Sequence, residues 1–337
     1  MVIPPSPQIG TVILFPSLNH RPGWLAYVEM HFIVFVWGFT AILGKLIEAH
    51  ALDLVWNRMA IASIAIGIWC SVTKVQLSIP FKSLSPMLGT GLIIALHWVT
   101  FYHAIDISNI ALTLAGLATS ALWASLIKAL YRRQIPGMNE IILACFAMLA
   151  MFLLMKVHHF APLAWWTACL SAMLAAWFAV LNSKFTERFQ PLQVAFWEML
   201  GGLLGISLWL LVGFLWKSDQ NSGIPANHPI PWPWLSLVAM DWFWISILAL
   251  VCTCYPFVAS IRLMRKIDPF TFVLSVNMEP VYGIVLGYFI FGESEQMAPV
   301  FYLGTAMLIA TVLAESWYKD YLMRRERLRK NDSSTLR

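Results

Sequence analysis

The sequence predicts an all-α polytopic membrane fold of ten transmembrane helices arranged as two inverted five-helix repeats. Three observations carry that prediction. Of 337 residues, 60% are hydrophobic and only 12% charged, whereas about a quarter of a soluble domain is charged. The apolar residues fall into ten runs of about 18–25 residues, each near the length that crosses a bilayer. The basic residues collect in alternate connections between those runs, as the positive-inside bias requires of a chain that crosses at every run.

In order, the runs cover 25–47, 53–72, 85–104, 108–130, 138–156, 162–182, 192–216, 238–261, 269–291 and 297–317. Most connections are short, so successive helices are expected to pack antiparallel. Lys74 and Lys82, Arg132 and Arg133, Lys184 and Arg188, and Arg262, Arg265 and Lys266 all fall on one side. The basic tail from Arg324 to Lys330 shares that side, which puts both termini in the cytoplasm. The opposite connections hold almost no positive charge: none at 50–53 or 106–109, and only Lys217 in the proline-rich 217–237 segment. Trp24, Trp165, Trp166, Trp232, Trp234, Trp242, Trp244 and Trp317 sit near run ends, as an aromatic belt does. Residues 1–23 hold five prolines and no Lys or Arg before Arg21, which is unlike a signal peptide.

An internal repeat follows from laying Trp37-Gly38-Phe39-Thr40-Ala41-Ile42-Leu43-Gly44-Lys45-Leu46 over Ala176-Trp177-Phe178-Ala179-Val180-Leu181-Asn182-Ser183-Lys184-Phe185. Each stretch opens a block of five runs, and an odd number of crossings inverts the second block. The expected division is a cytoplasmic segment 1–24, a first repeat 25–157, a second repeat 162–317 and a basic cytoplasmic tail 318–337.

The chemistry concentrates in Ser275-Val276-Asn277-Met278-Glu279-Pro280-Val281-Tyr282-Gly283, inside the ninth run. A charge in hydrocarbon costs at least roughly 2.5–3.5 kcal/mol, so Glu279 must face protein or water, or hold a proton. Pro280 has no N–H and leaves the Val276 carbonyl without its helical donor, a break tolerated at membrane depth only beside a group or water that answers it. A polar, broken helix centre therefore implies a cavity. Arg58, about six residues into run two, and Glu198, about six into run seven, take mirrored places in the repeats. Each has either a gating or ligand role or a hydrogen bond near an interface. His97, mid-run, is expected to be neutral and packed. Trp37, Thr40, Trp98, Tyr102, Trp177, Asn182, Tyr255 and Asn277 offer aromatic walls with a few hydrogen-bonding groups. Gly283 and Gly287, and Gly201 and Gly205, are spaced four apart for close helix approach.

Other classes find little support. No nucleophile elbow, zinc-binding His pair, paired aspartates or phosphate loop occurs, so no enzyme, cofactor or metal is expected. The five cysteines lie inside apolar runs and read as small hydrophobes. The net charge of +5 comes from short connections and the tail, which points to membrane lipid and not to nucleic acid. A channel would need a repeated polar segment, whereas the sequence signals one strongly broken helix.

Trp37-Gly38 with Gly44-Lys45, then Asn57-Arg58-Met59, Asn277-Met278-Glu279-Pro280-Val281 and Gly292-Glu293 resemble the pattern of EamA-type carriers of the drug/metabolite transporter superfamily, over about residues 27–318. The resemblance implies ten helices in two inverted repeats, cytoplasmic termini, and a central cavity for small organic solutes that many members export. The chain departs from the pattern where Glu279-Pro280 should be mirrored, which reads Ser120-Ala121, and thirteen residues on, where Gly-Glu is replaced by Arg133-Gln134. The expectation is a non-enzymatic secondary carrier of the cell inner membrane that exports a small organic metabolite by alternating access. A homodimer is left open, as are a channel and a non-transporting structural or signalling protein.

Overall fold

A computed structural model describes residues 23–155, 161–219, 237–282 and 299–335. Every element in them is helical. Helices α1 (Trp24–Trp37), α2 (Thr40–Leu46), α3 (Ala51–Val72), α4 (Phe81–Asp106), α5 (Ile110–Leu117), α6 (Ser120–Arg132) and α7 (Met138–Met155) form the first half. Helices α8 (Pro162–Phe185), α9 (Pro191–Asp219), α10 (Ala239–Ala249), a π-turn Leu250–Cys254, α11 (Tyr255–Leu263), α12 (Pro269–Val276) and α13 (Pro299–Thr335) form the second. The chain is helical again over 279–282.

Seven stretches among the described residues are long and apolar enough to cross a membrane: Trp24–Gly44, Ala51–Val72, Phe81–Asp106, Ile110–Arg132, Pro162–Phe185, Pro191–Val212 and Ala239–Leu263. They coincide with seven of the expected runs. The other three fall on the shorter apolar helix α7, on α12 with residues 279–282, and on the start of α13. Gly283, Gly287 and Gly292-Glu293 lie outside the described residues, as do most of the 217–237 connection and nearly all of segment 1–24.

The distribution of polarity is that of a membrane protein. Ile64, Ile68 and Val72 of α3, Leu163 and Trp166 of α8, and Leu208, Trp209 and Val212 of α9 all face outward, while Asn57, Arg58, Thr90, Ser171, Asn182, Glu198, Ser275 and Glu279 are buried. In water this arrangement exposes the wrong atoms. In lipid it leaves hydrocarbon against hydrocarbon and turns the polar groups to one another.

Helix α4 is the central strut, packing on both α8 and α9, with α3 also on α9 and α7 on α13. Glycine sets the α4–α9 distance: a methyl at Gly91 would stand 2.0 Å from the Glu198 carbonyl oxygen, and one at Gly201 would stand 2.5 Å from that of Leu88. Neither backbone has room to retreat without separating the helices. Gly205 instead meets the Leu92 side chain.

Where the sequence signals one broken helix, the described residues show four interruptions. Turns at Gly38-Phe39, Ala118-Thr119 and Asn277-Met278 separate α1 from α2, α5 from α6, and α12 from residue 279. The fourth is the π-turn. Proline signals two of these sites: Pro280 follows one, and Pro256 follows the π-turn. The other two lack a proline. At the first, the freed Trp37 carbonyl accepts from the Thr40 hydroxyl at 2.8 Å; at the second, the Gly116 carbonyl accepts from both the N–H and the hydroxyl of Thr119, at 3.1 and 2.8 Å. A Thr just past an interruption is a weak sequence signal, since the same residue also occurs inside regular helices.

At one end of the bundle, four helices share an ionic cluster absent from the sequence reading. Asp268 caps α12 by accepting from Phe270 N at 3.0 Å. Its carboxylate also meets Lys128 of α6 at 3.1 Å, Lys319 of α13 at 3.5 Å and Arg132 at 3.8 Å. Lys128 bonds Glu140 of α7 as well, and Lys319 bonds Glu315 at 2.9 Å. Burial alone would push the Asp268 carboxyl up, but Lys319, Lys128 and Arg132 outweigh it and hold the group well below the ordinary carboxylate range. A depressed group contributes stability above its unfolded value of about 3.9 and loses it as pH falls toward the folded value. Purified protein should therefore lose thermal stability as pH falls below about 4. Asp268→Asn, which keeps the cap but removes the charge, should lower stability at neutral pH by about 3–5 kcal/mol and flatten that acid limb. An unchanged acid limb in Asp268→Asn would show that other carboxylates set it.

Candidate functional site

The interruptions converge on one cavity, of about 850 Å³ of empty space that includes its opening to solvent. Trp37 and Thr40 reach it from either side of the first turn, Leu117 and Ser120 from the second, Cys252 and Thr253 from the π-turn, and Val276 and Glu279 from the last. Arg58 of α3, His97, Trp98, Phe101 and Tyr102 of α4, Phe178 of α8, and Phe257 and Ser260 of α11 complete the wall. Ordinary helix closes its backbone groups on itself, so a helical protein gains polar atoms at a cavity by interrupting helices there.

Pro256 shows how one interruption is used. It has no N–H for the Cys252 carbonyl four residues back. The indole Nε1 of Trp37 donates to that carbonyl instead, at 3.1 Å, which ties the first turn to the π-turn. Thr253 turns its hydroxyl to the Leu248 carbonyl at 2.8 Å.

Arg58 is 3% exposed, so its charge depends on what surrounds it. Its Nε donates to Thr253 Oγ1 at 2.8 Å and its Nη1 to Tyr102 Oη at 3.0 Å. The guanidinium lies over the Trp98 ring, 3.7 Å from the centroid, a face that attracts cations. Glu279, 6% exposed, lies across the cavity wall with Oε1 3.2 Å from Thr40 Oγ1. Among the described residues it forms no ion pair with Arg58, so a cation and a carboxyl group stand on one cavity held by different neighbours.

His97 is set by Ser171 of α8. The Ser171 hydroxyl donates to the His97 carbonyl at 2.9 Å, and His97 Nδ1 lies 2.9 Å from the Ser171 carbonyl and 2.8 Å from its hydroxyl. A carbonyl only accepts, so Nδ1 carries the proton, a tautomer assigned from the bonding pattern, and Nε2 of the neutral ring is left as an acceptor. The ring packs 5.6 Å from Phe178.

Of the residues singled out from the sequence, Glu279, Arg58, His97, Trp37, Thr40, Trp98 and Tyr102 line the cavity. Trp177, Asn182, Tyr255 and Asn277 do not. Helical phase explains two of them. The cavity face of α8 is Ala175, Phe178 and Ala179, so Trp177 falls outside it and bonds Tyr131 Oη at 3.3 Å. The cavity face of the π-turn and α11 is Thr253, Phe257 and Ser260, continued by Met264 just beyond, so Tyr255 points away, donating to Glu29 at 3.0 Å. Asn182 pairs with Glu198, and Asn277 is buried at its turn with Nδ2 unpartnered. Ser120, Thr253, Ser260 and Cys252 were missed. The stride of four that joins Thr253 to Phe257 was legible, but nothing local marked that stripe as facing a cavity.

Residues 163–314 match the EamA-like transporter family. A solved chain titled only as the crystal structure of a protein matches with a TM-score of 0.64 at 16% identity, covering 86% of this chain and 96% of its own. It is one of 28 solved chains that match. At that identity the likeness is one of fold. No curated protein matches the chain at a significant level. The matched region contributes Phe178, Thr253, Ser260 and Glu279 to the wall, and the preceding half contributes Arg58, His97 and Ser120. This chain is thus a multi-pass membrane protein, and its residues 163–314 are similar to the EamA-like transporter family.

Proposed function

We propose that the protein is a secondary transporter which moves a small organic metabolite, in the export direction, by alternating access. It is read as ten spans in two inverted five-helix repeats, lying in the cell inner membrane with both termini cytoplasmic. The observation that carries this reading is the cavity where four helix interruptions meet, with Arg58 and Glu279 on an otherwise largely aromatic wall. The interruptions at Ala118-Thr119 and Asn277-Met278 precede Ser120 and Glu279, the positions expected to mirror each other in the two repeats. That supports two related halves with unequal chemistry. A turn in a spanning helix concentrates rotation at a few residues, so the segments beyond it can tilt to open one side and close the other. Arg58 and Glu279 suit a solute with a polar head, and Trp37, Trp98, Phe101 and Phe178 suit an apolar body.

The test is solute flux in reconstituted vesicles. Saturation with solute concentration supports a carrier, and linear flux supports a channel. In intact cells that express the protein, a cysteine placed at Ser222 should be labelled from outside and one at Ser333 should not. The reverse pattern would overturn the orientation.

A further inference from the structure

Helix α9 carries one titratable side chain between Pro191 and Leu215, and it is fully buried: Glu198. It does not line the solute cavity. Its partner is Asn182 of α8, also fully buried, whose Nδ2 donates to Glu198 Oε2 at 3.3 Å. The two remaining oxygens, Asn182 Oδ1 and Glu198 Oε1, are buried without a hydrogen-bond partner. An amide carbonyl and a carboxylate are both acceptors only, so an ionised Glu198 leaves two adjacent residues each short of a donor. Such orphans are rare in native interiors because nothing replaces the water they lost.

One proton answers both. Placed on Glu198 Oε1, it makes the carboxyl a donor to Asn182 Oδ1 and closes a reciprocal pair, amide to acid and acid to amide. We propose that Glu198 and Asn182 form a proton-binding site separate from the solute cavity, with Glu198 carrying the proton and Asn182 holding it in place.

The surroundings leave that role to the proton. On α3, Arg58 is engaged by Thr253 and Tyr102, and Cys70 Sγ lies 3.8 Å from the Leu192 carbonyl. On α4, His97 is engaged by Ser171, and Lys82, His103 and Asp106 stand exposed near the helix ends. On α8, Lys184 lies over the Tyr131 ring. On α11, Arg262 pairs with Glu29, and just beyond it Arg265 donates to the Thr186 and Phe189 carbonyls. None of these cations forms an ion pair with Glu198 among the described residues, and no group of three or more His, Cys, Asp and Glu is placed there to hold a metal ion. The site also lies where position matters. Gly91 of α4 abuts the Glu198 carbonyl, so the pair sits behind the helix that brings His97, Trp98 and Tyr102 to the cavity. Loss of the proton would leave an unpaired charge at the junction of α4, α8 and α9, and would favour their separation or the entry of water.

Infrared spectroscopy of the full chain in lipid nanodiscs near neutral pH tests this, because a protonated carboxyl absorbs apart from carboxylate and amide. The spectrum of the wild type minus that of Glu198→Gln should show a protonated-carboxyl band. Gln preserves the reciprocal pair, its amide N–H replacing the acid O–H, so this variant should fold. In Asn182→Ala the same band should shift to higher frequency as its acceptor is lost. Absence of the band from the Glu198→Gln difference overturns the site, and Glu198→Gln decides this whatever the fate of the Asn182 variant. A band that appears only when sodium is replaced by choline would make the site a cation site and overturn the proposal too. No flux is measured, so the outcome is independent of whether the protein carries a solute.

Discussion

Arg58→Lys is expected to cut solute affinity in reconstituted vesicles by about tenfold, equivalent to roughly 1.4 kcal/mol, while leaving the protein folded. Arg58 acts through shape as well as charge. Its Nε and Nη1 reach Thr253 of the π-turn and Tyr102 of α4 at once, and its plane lies on Trp98. A lysine keeps the charge but concentrates it at one ammonium on a flexible stem, which has neither the fork nor the flat face. Without those two bonds the charge is no longer held at a fixed place on the cavity wall, and the solute must order it on binding. Arg58→Leu goes further, leaving the Tyr102 and Thr253 hydroxyls to one another, and should lower thermal stability as well as flux. The check is a saturation curve for wild type and both variants. A lysine variant with wild-type affinity and rate would reduce Arg58 to a packing residue.

Glu279→Gln is expected to slow transport about tenfold and to flatten its dependence on pH, again roughly 1.4 kcal/mol at the saturating rate. The local geometry ties this to a proton. Thr40 Oγ1 lies 2.8 Å from the Trp37 carbonyl and 3.2 Å from Glu279 Oε1, and its single hydrogen serves one of them at a time. When Thr40 donates to Trp37, its contact with Glu279 needs a hydrogen on the carboxyl. When Glu279 is ionised, Thr40 must release Trp37 and turn to Glu279. Protonation at Glu279 is therefore linked to the carbonyl at the first helix interruption. Glutamine keeps a donor and an acceptor but cannot take up or release a proton, so the switch is no longer tied to pH. If Glu279 instead binds a cationic group of the solute, the variant loses affinity at every pH at which Glu279 is ionised, and the pH profile separates the two cases. A glutamine variant with wild-type rate, affinity and pH profile would leave Glu279 as a packing residue only.

Much of this was visible in the chain before any coordinates. The apolar runs, the buried carboxyl beside Pro280 and the arginine in run two all announce themselves, because each breaks the pattern around it. Trp177 and Tyr255 show where such reading ends. Both are aromatic residues in the right helices, yet a turn of about 100° per residue carries them off the cavity face, and the sequence does not say which face that is. Ser120 shows the converse: an ordinary helix residue becomes a cavity residue because Ala118-Thr119 unwinds just before it.

By itself the sequence determined that the protein is a helical membrane protein, how its charge divides between alternate connections, and that a polar break lies in the ninth run. Those properties depend on the cost of placing charge and unbonded backbone in hydrocarbon, which is paid residue by residue and so can be read that way. Only the tertiary structure decided that four interruptions face one cavity, that Arg58 leans on the π-turn, that Glu198 meets Asn182, and that Asp268 gathers Lys128 and Lys319. Each of these is a contact between helices far apart in the chain. Its existence depends on the relative rotation and depth of two rigid rods, and close packing at points such as Gly91 against Glu198 sets those quantities without a local signal in either helix.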